Sequence, residues 1–317
     1  MFPRIIYSLL TVFGSLTVGY LARKGSHVNE ERSSLIIKLG TIFISPWIFC
    51  FNFWALEKSN ISIITLPLVG ALISTFSLVP ARLLARFHHL GKREIGSYLS
   101  CAMFSNVGFT FGGFLCFALL GEKGYTLSLL YSLYMTPFFY TIGFYVARYY
   151  GVEGSQSLIK GLKATFAEPV SLCPIMGLIA GLGLNMAEIS RPIIITSTNR
   201  ILIPVTTFLV LFGVGLTLKF RKIKEFKKVC FSISLMKFVY SPLIGLILAY
   251  AMGYSRILNK LPLKVVFIEA SMPVAINVLI LTNLFGLDKD LVNSCWISTT
   301  LASIVIIPLI MLGIRFI

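Results

Sequence analysis

Apolar runs long enough to cross a bilayer follow one another through almost the whole chain, separated by short polar connections. That pattern leaves few folds open. Backbone N–H and C=O groups find no water inside hydrocarbon, so a spanning segment must be a helix or part of a closed barrel. Runs of roughly 20 apolar residues suit helices, whereas a barrel strand needs only about 10. Ten spans are expected: Ile5–Ala22, Leu35–Trp54, Ile61–Ala85, Ile95–Leu120, Tyr125–Ala147, Pro169–Met186, Arg200–Leu218, Val229–Met252, Leu263–Gly286 and Leu291–Ile314. Arg4 followed by an apolar run resembles a signal peptide, but the run is long and no small-residue cleavage site follows, so it is read as the first span.

Charge fixes the expected orientation. The odd-numbered connections hold 17 Lys and Arg residues and the even-numbered ones hold 6. By the positive-inside rule the odd set is cytoplasmic, which puts both termini on the outer side. The formal net charge of +16 is explained the same way, and no nucleic-acid-binding motif accompanies it. The longest connection divides the chain into residues 1–150, a cytoplasmic linker at 151–168, and residues 169–317. With 56% hydrophobic and 13% charged residues, the chain leaves no room for a separate aqueous domain.

Chemistry of the enzymatic kind finds little support. The six cysteines lie in or beside apolar runs without metal or redox spacing, and the three histidines lie in basic connections. No zinc-protease motif, phosphate loop or nucleophile elbow is present. A catalytic site, a metal and a cofactor are therefore not expected.

The two halves are expected to be repeats. An offset of 165 residues carries each of the first five spans onto one of the last five, and sets LLGEK (119–123) over LFGLD (284–288). Five is odd, so the second half must be inverted in the membrane relative to the first. In transporters built from inverted repeats the binding site lies near the midplane, at discontinuous helices. The fold class expected is all-α and polytopic, with ten transmembrane helices in two inverted five-helix repeats.

Two spans carry disruptions at matching depth. In the fourth, Ser105 and Asn106 precede Gly108, Gly112 and Gly113; in the ninth, Ser271 precedes Pro273 and Asn277. Proline lacks an N–H and starts a helix well, and Ser and Asn cap helix starts. Each disruption would open a half-helix whose positive end faces the midplane, and two such ends favour an anion, most simply a carboxylate. Asn277, four residues beyond Pro273, is expected on the same helical face. Glu269 and Lys237 are the ionisable residues placed clearly within spans, and ionisable groups at that depth are functional candidates. Glu269 is a candidate for carrying a coupling proton or holding a cation; Lys237, for pairing with Glu269 or attracting the anion. Ser45, beside Pro46 in the second span, is a weaker candidate for lining the cavity.

At these residues the sequence resembles the auxin efflux carrier family, in its bacterial-type form. The resemblance covers essentially the whole chain and is most specific in SNVGFTFGGFLCFALLGEKGYTLSLLY (105–131) and EASMPVAINVLILTNLFGLD (269–288). GYLARKG (19–25), SPWIF (45–49) and LMKFVYSPLIG (235–245) add to it. It implies crossing discontinuous fourth and ninth helices in a fold like that of the bile-acid symporters, one helix set moving against another, and a substrate carboxylate held near the crossing. The family's asparagine of the fourth span matches Asn106, and its proline of the ninth matches Pro273. One departure stands out: GFTFGGFL occupies the place where many relatives carry a Gly-Leu-Pro-Leu pattern. A homodimer in the plasma (inner) membrane is a further implication. The function expected is secondary transport of a small organic anion by alternating access; a sodium-coupled symporter and a membrane sensor that binds the anion without moving it are the alternatives.

Overall fold

The computed structural model describes residues 2–57, 61–152, 169–220 and 222–317. Most of the predicted 151–168 linker lies outside the described residues, as do Lys58, Lys160, Lys163 and Arg221 of the orientation count. Among the described residues sixteen α-helical segments follow one another: α1 (Phe2–Lys24), α2 (Arg32–Lys38), α3 (Ser45–Trp54), α4 (Leu66–Phe76), α5 (Leu78–Phe87), α6 (Lys92–Met103), α7 (Phe111–Ser132) and α8 (Met135–Phe138) in the first stretch, with α9 (Phe144–Tyr150) after them. Then come α10 (Pro169–Met186), α11 (Ile193–Leu216), α12 (Lys227–Leu235), α13 (Ser241–Ala251), α14 (Leu261–Ala270), α15 (Val278–Phe285) and α16 (Lys289–Phe316). Six helical stretches of the described residues are long and apolar enough to cross a membrane: Pro3–Lys24, Arg32–Trp54, Ser62–Phe87, Ile193–Leu216, Lys227–Ala251 and Lys289–Phe316. Several of these contain short π-helical turns, Leu39–Ile44 and Met236–Tyr240 among them, where the helix continues with one wider loop.

Local chemistry sets the ends. Glu94 accepts the Gly91 N–H at 2.7 Å to start α6, and Asp288 accepts the Leu291 N–H at 2.8 Å to start α16. α15 stops at Gly286, whose φ of 64° is the left-handed conformation that a helix C-terminus favours. Gly121 turns within α7 at φ 78°, so that segment is two helices joined at one residue, at the boundary expected between the fourth and fifth spans.

The chain forms two compact units, and each takes segments from both halves. The first unit is Met1–Ile61, Gly108–Leu129 and Thr165–Leu218; the second is Ser62–Val107, Leu130–Ala164 and Lys219–Ile317. In the first unit α3 lies against α10 at backbone contact. A methyl group at Gly177 would overlap the Pro46 carbonyl oxygen, and one at Gly181, a turn later, would overlap that of Cys50. This small-xxx-small packing substitutes for a hydrophobic driving force that is weak among lipid tails. Gly177→Ala is expected to cost about 2 kcal/mol through overpacking, readable as a lowered melting temperature in detergent. Unchanged melting would show that the two helices separate freely.

Within each unit the predicted connections sort by end. In the first, Arg4 on α1 donates to Leu119 O, while Arg23 at the other end of that helix donates to Leu216 O at 2.9 Å. Asn185 donates to Trp54 O and Leu56 O, joining the second and sixth connections. In the second unit, His88 bonds Ser232, Arg93 donates to the Gly286 carbonyl, and Lys222 pairs with Asp290, so odd-numbered connections meet. Lys260 meets the C-terminal residue there, donating to Ile317 O.

Candidate functional site

The two expected disruptions are real breaks, and within the second unit they cross. α6 ends at Met103 and helical structure resumes at Phe111; α14 ends at Ala270 and α15 starts at Val278. Ser105 and Val274 form an isolated antiparallel bridge. The Asn106 N–H donates to Pro273 O at 2.8 Å, and the Ala275 N–H donates to Phe104 O at 3.0 Å. Two extended stretches thus satisfy each other's backbone where both are buried, which is the condition for irregular chain away from water.

Both breaks differ in detail from the sequence expectation. Pro273 does not begin the second half-helix: it lies in the extended stretch, and Asn277 is the residue before α15. Pairing of residues 273–275 with the opposing strand holds them out of the helix. The helical spacing that put Asn277 on the face of Pro273 therefore does not apply, and Asn277 is exposed while Pro273 is buried. The helix restarts at Phe111 and Val278 lie 167 positions apart, which aligns Asn106 rather than Gly108 with Pro273. Those two aligned residues are the ones whose backbones bond directly.

Each arm of the crossing has a side chain holding it. Lys237 is fully buried on the π-helical turn Met236–Tyr240. Its Nζ donates to Ala102 O at 2.8 Å, Phe104 O at 3.0 Å and Ser105 Oγ at 3.0 Å. Three acceptors call for three N–H bonds, which the ammonium form supplies. The carbonyls are those left without helical partners where α6 ends, at the negative end of its dipole. The second arm is held from α16, where Thr299 Oγ1 accepts the Val274 N–H at 3.2 Å and donates to Cys295 O at 2.8 Å.

Of the residues singled out in the sequence, Ser105, Asn106, Ser271, Pro273, Lys237 and Glu269 belong to the second unit. Ser105, Asn106, Pro273 and Lys237 are brought together by the bonds above. Ser271 closes α14, with its hydroxyl on Phe267 O at 2.7 Å, and is buried. Glu269 is fully buried in the last turn of that helix. Gly108 turns at φ 78°, a conformation that glycine adopts without strain, as the chain enters the first unit. Ser45 lies in the first unit, buried, with its hydroxyl on Thr41 O at 2.5 Å. Thr299 was missed: hydroxyls are common in apolar helices, and nothing along the chain distinguishes one that meets a break.

The first unit holds a second buried polar cluster that the sequence reading also missed. Arg191 pairs with Glu122 at 2.7 and 3.2 Å, both side chains about one-seventh exposed, at 14% and 16%. Asn199 donates to the same carboxylate at 2.6 Å and accepts from Asn52 at 3.3 Å, and Thr126 donates to Asn52 Oδ1 at 3.0 Å. Every polar atom named here is bonded to another within the unit, so the cluster is a tie between α3, α7 and α11.

Comparison with known proteins matches residues 4–311 to a family model described as membrane transport protein. A protein named an uncharacterized transporter in Methanothermobacter thermautotrophicus is 25% identical over 306 residues, covering 95% of this chain and 96% of that one. The uncharacterized transporter MJ1031 of Methanocaldococcus jannaschii shows the same identity and coverage.

Proposed function

Because the chain belongs to the membrane transport protein family, also called the auxin efflux carrier family, we propose that it is a secondary carrier of a small organic anion that binds beside the Ser105–Val274 crossing. Membership makes it a multi-pass integral membrane protein with a transported substrate. The observation carrying the finer reading is the fully buried ammonium of Lys237 fixed at the crossing. A positive charge held there, in low-dielectric surroundings, is an environment that favours a carboxylate. Asn106, half-buried on the strand between Ser105 and Val107, is placed to contact it.

The same ammonium bears on coupling. It takes two carbonyl oxygens and a hydroxyl, the kind of hard oxygen ligands an alkali cation would use. A fixed lysine cation there supports transport without sodium, driven by membrane potential on the anion or coupled to a proton at Glu269. Inverted repeats support the architecture: the breaks recur in both halves, and Gly121 and Gly286, which end the two half-helices, both have positive φ. In this reading ten spans cross the plasma (inner) membrane with both termini outside, and the carrier works by alternating access as a homodimer.

The test is uptake of radiolabelled carboxylates into proteoliposomes with imposed pH, potential or sodium gradients. Asn106→Ala is expected to weaken substrate binding about tenfold to a hundredfold, the range for a hydrogen bond to a charged group, in protein that still folds. Full binding by that variant would reject the crossing as the site. Dependence of uptake on sodium would reject the coupling.

A further inference from the structure

α16 carries two buried polar groups that the crossing does not use. Trp296 is 2% exposed and Thr300 is 6% exposed, yet neither Trp296 Nε1 nor Thr300 Oγ1 has a hydrogen-bond partner among the described residues. A buried donor without a partner costs about 1–3 kcal/mol, and native proteins keep few of them. Here two lie one helical turn apart, about 6 Å along the axis.

Their position gives the pair a use. Trp296, Thr299, Thr300 and Ser303 share an arc of about 100° on the helix, and all four are buried. Thr299, at one edge of that arc with Trp296 about 60° from it and Thr300 at the other edge, accepts the Val274 N–H of the crossing. Ser303 is spent on Thr299 O at 3.0 Å. The arc that touches the crossing therefore presents an indole N–H and a hydroxyl that no described residue occupies. An indole N–H only donates, and a hydroxyl donates once, so the complement is an acceptor oxygen.

We infer that Trp296 and Thr300 form a specificity subsite for a second acceptor group of the transported anion, a carboxylate or carbonyl oxygen beyond the carboxylate at the crossing. The inference rests on the crossing being the anion site. Substrates bearing that second oxygen satisfy both donors, and acids lacking it leave them unpaired; sites built this way discriminate strongly between such pairs. In this assignment the two donors meet the second oxygen and not the first carboxylate, so each sets selectivity rather than basal affinity.

The experiment compares acids in matched pairs, succinate with butyrate and pyruvate with propionate, by calorimetry on the purified full chain and by competition for uptake in proteoliposomes. The unsubstituted protein is expected to prefer the member with the second oxygen in at least one pair. Trp296→Phe keeps the ring and loses the donor; Thr300→Val keeps the shape and loses the hydroxyl. Each should reduce the preference about tenfold while leaving affinity for the one-carboxylate partner unchanged; Thr300→Val should also leave the melting temperature without ligand unchanged, whereas Trp296→Phe lowers it by the cavity it opens. Absence of any preference in the unsubstituted protein overturns the subsite. So does a preference that survives both substitutions, or a loss that falls equally on both members of a pair. Where the cavity left by Trp296→Phe lowers folding, Thr300→Val, which removes almost no volume, decides the case: a preference it leaves intact overturns the subsite. Asn106→Ala separates the two ideas: it should weaken both members equally. If it weakens neither, the crossing itself is wrong, whatever Trp296 and Thr300 do.

Discussion

Lys237→Met is expected to abolish uptake, by about a hundredfold or more, and to lower stability by about 3–4 kcal/mol, on the scale of charge-assisted hydrogen bonds lost from a buried site. Methionine fills much of the same space without donors, so the effect isolates the ammonium. Ala102 O and Ser105 Oγ then lose the donor described for them here, and Phe104 O keeps only the Ala275 N–H. The break in the fourth span would lose its anchor on the α12 side while Thr299 still holds the other arm. Transport should therefore fall further than stability alone explains. Lys237→Arg is expected not to rescue uptake, since the planar guanidinium is larger and the position is 0% exposed. The measurements are initial uptake rate and melting temperature on one detergent preparation. A methionine variant with normal uptake would remove the fixed charge from the mechanism and reopen cation coupling at that place.

How much of this was visible along the chain depends on whether the signal is local. Glycine at 108, asparagine at 106 and proline at 273 announce disrupted helices by their own backbone chemistry, and the structure breaks both helices there. Lysine at 237 announces itself because charge in an apolar run is costly. What the lysine touches is lateral information: hydropathy could not choose between a carboxylate, a substrate and the carbonyls of α6. The restart of α15 five residues after Pro273 was hidden for the same reason, since cross-strand pairing overrides proline's preference for a first helical turn. Glu122 shows the converse. Its position after Gly121 reads as a connection, and a polar residue in a connection needs no partner; only the folded unit brings Arg191 and Asn199, some 70 residues later, against it. The division into units is equally nonlocal, because each draws on both halves of the chain.

Arg191→Ala is expected to destabilise the protein by about 3 kcal/mol, the lower end of the range for removing one partner of a buried ion pair. The lower end applies because each side chain keeps some solvent contact, at 14% and 16%. Removing the guanidinium leaves the Glu122 carboxylate with Asn199 as its described donor and strips a donor from Phe51 O as well. Glu122→Gln combined with Arg191→Ala should recover most of the loss, because the neutral amide keeps an acceptor for Asn199 without an uncompensated charge. The non-additivity of that cycle, read from chemical or thermal denaturation, measures the pair itself. Lys123→Ala provides the internal contrast. Lys123 pairs with Glu57 beside the same turn, but the two side chains are 72% and 42% exposed. A solvent-exposed pair contributes at most about 1 kcal/mol, so this variant should melt close to the unsubstituted protein. Equal losses from Arg191→Ala and Lys123→Ala would mean that the Asn52–Thr126–Asn199 network, not the ion pair, holds α3, α7 and α11 together. In that case Asn199→Leu would become the larger effect, since Asn199 joins the carboxylate to Asn52.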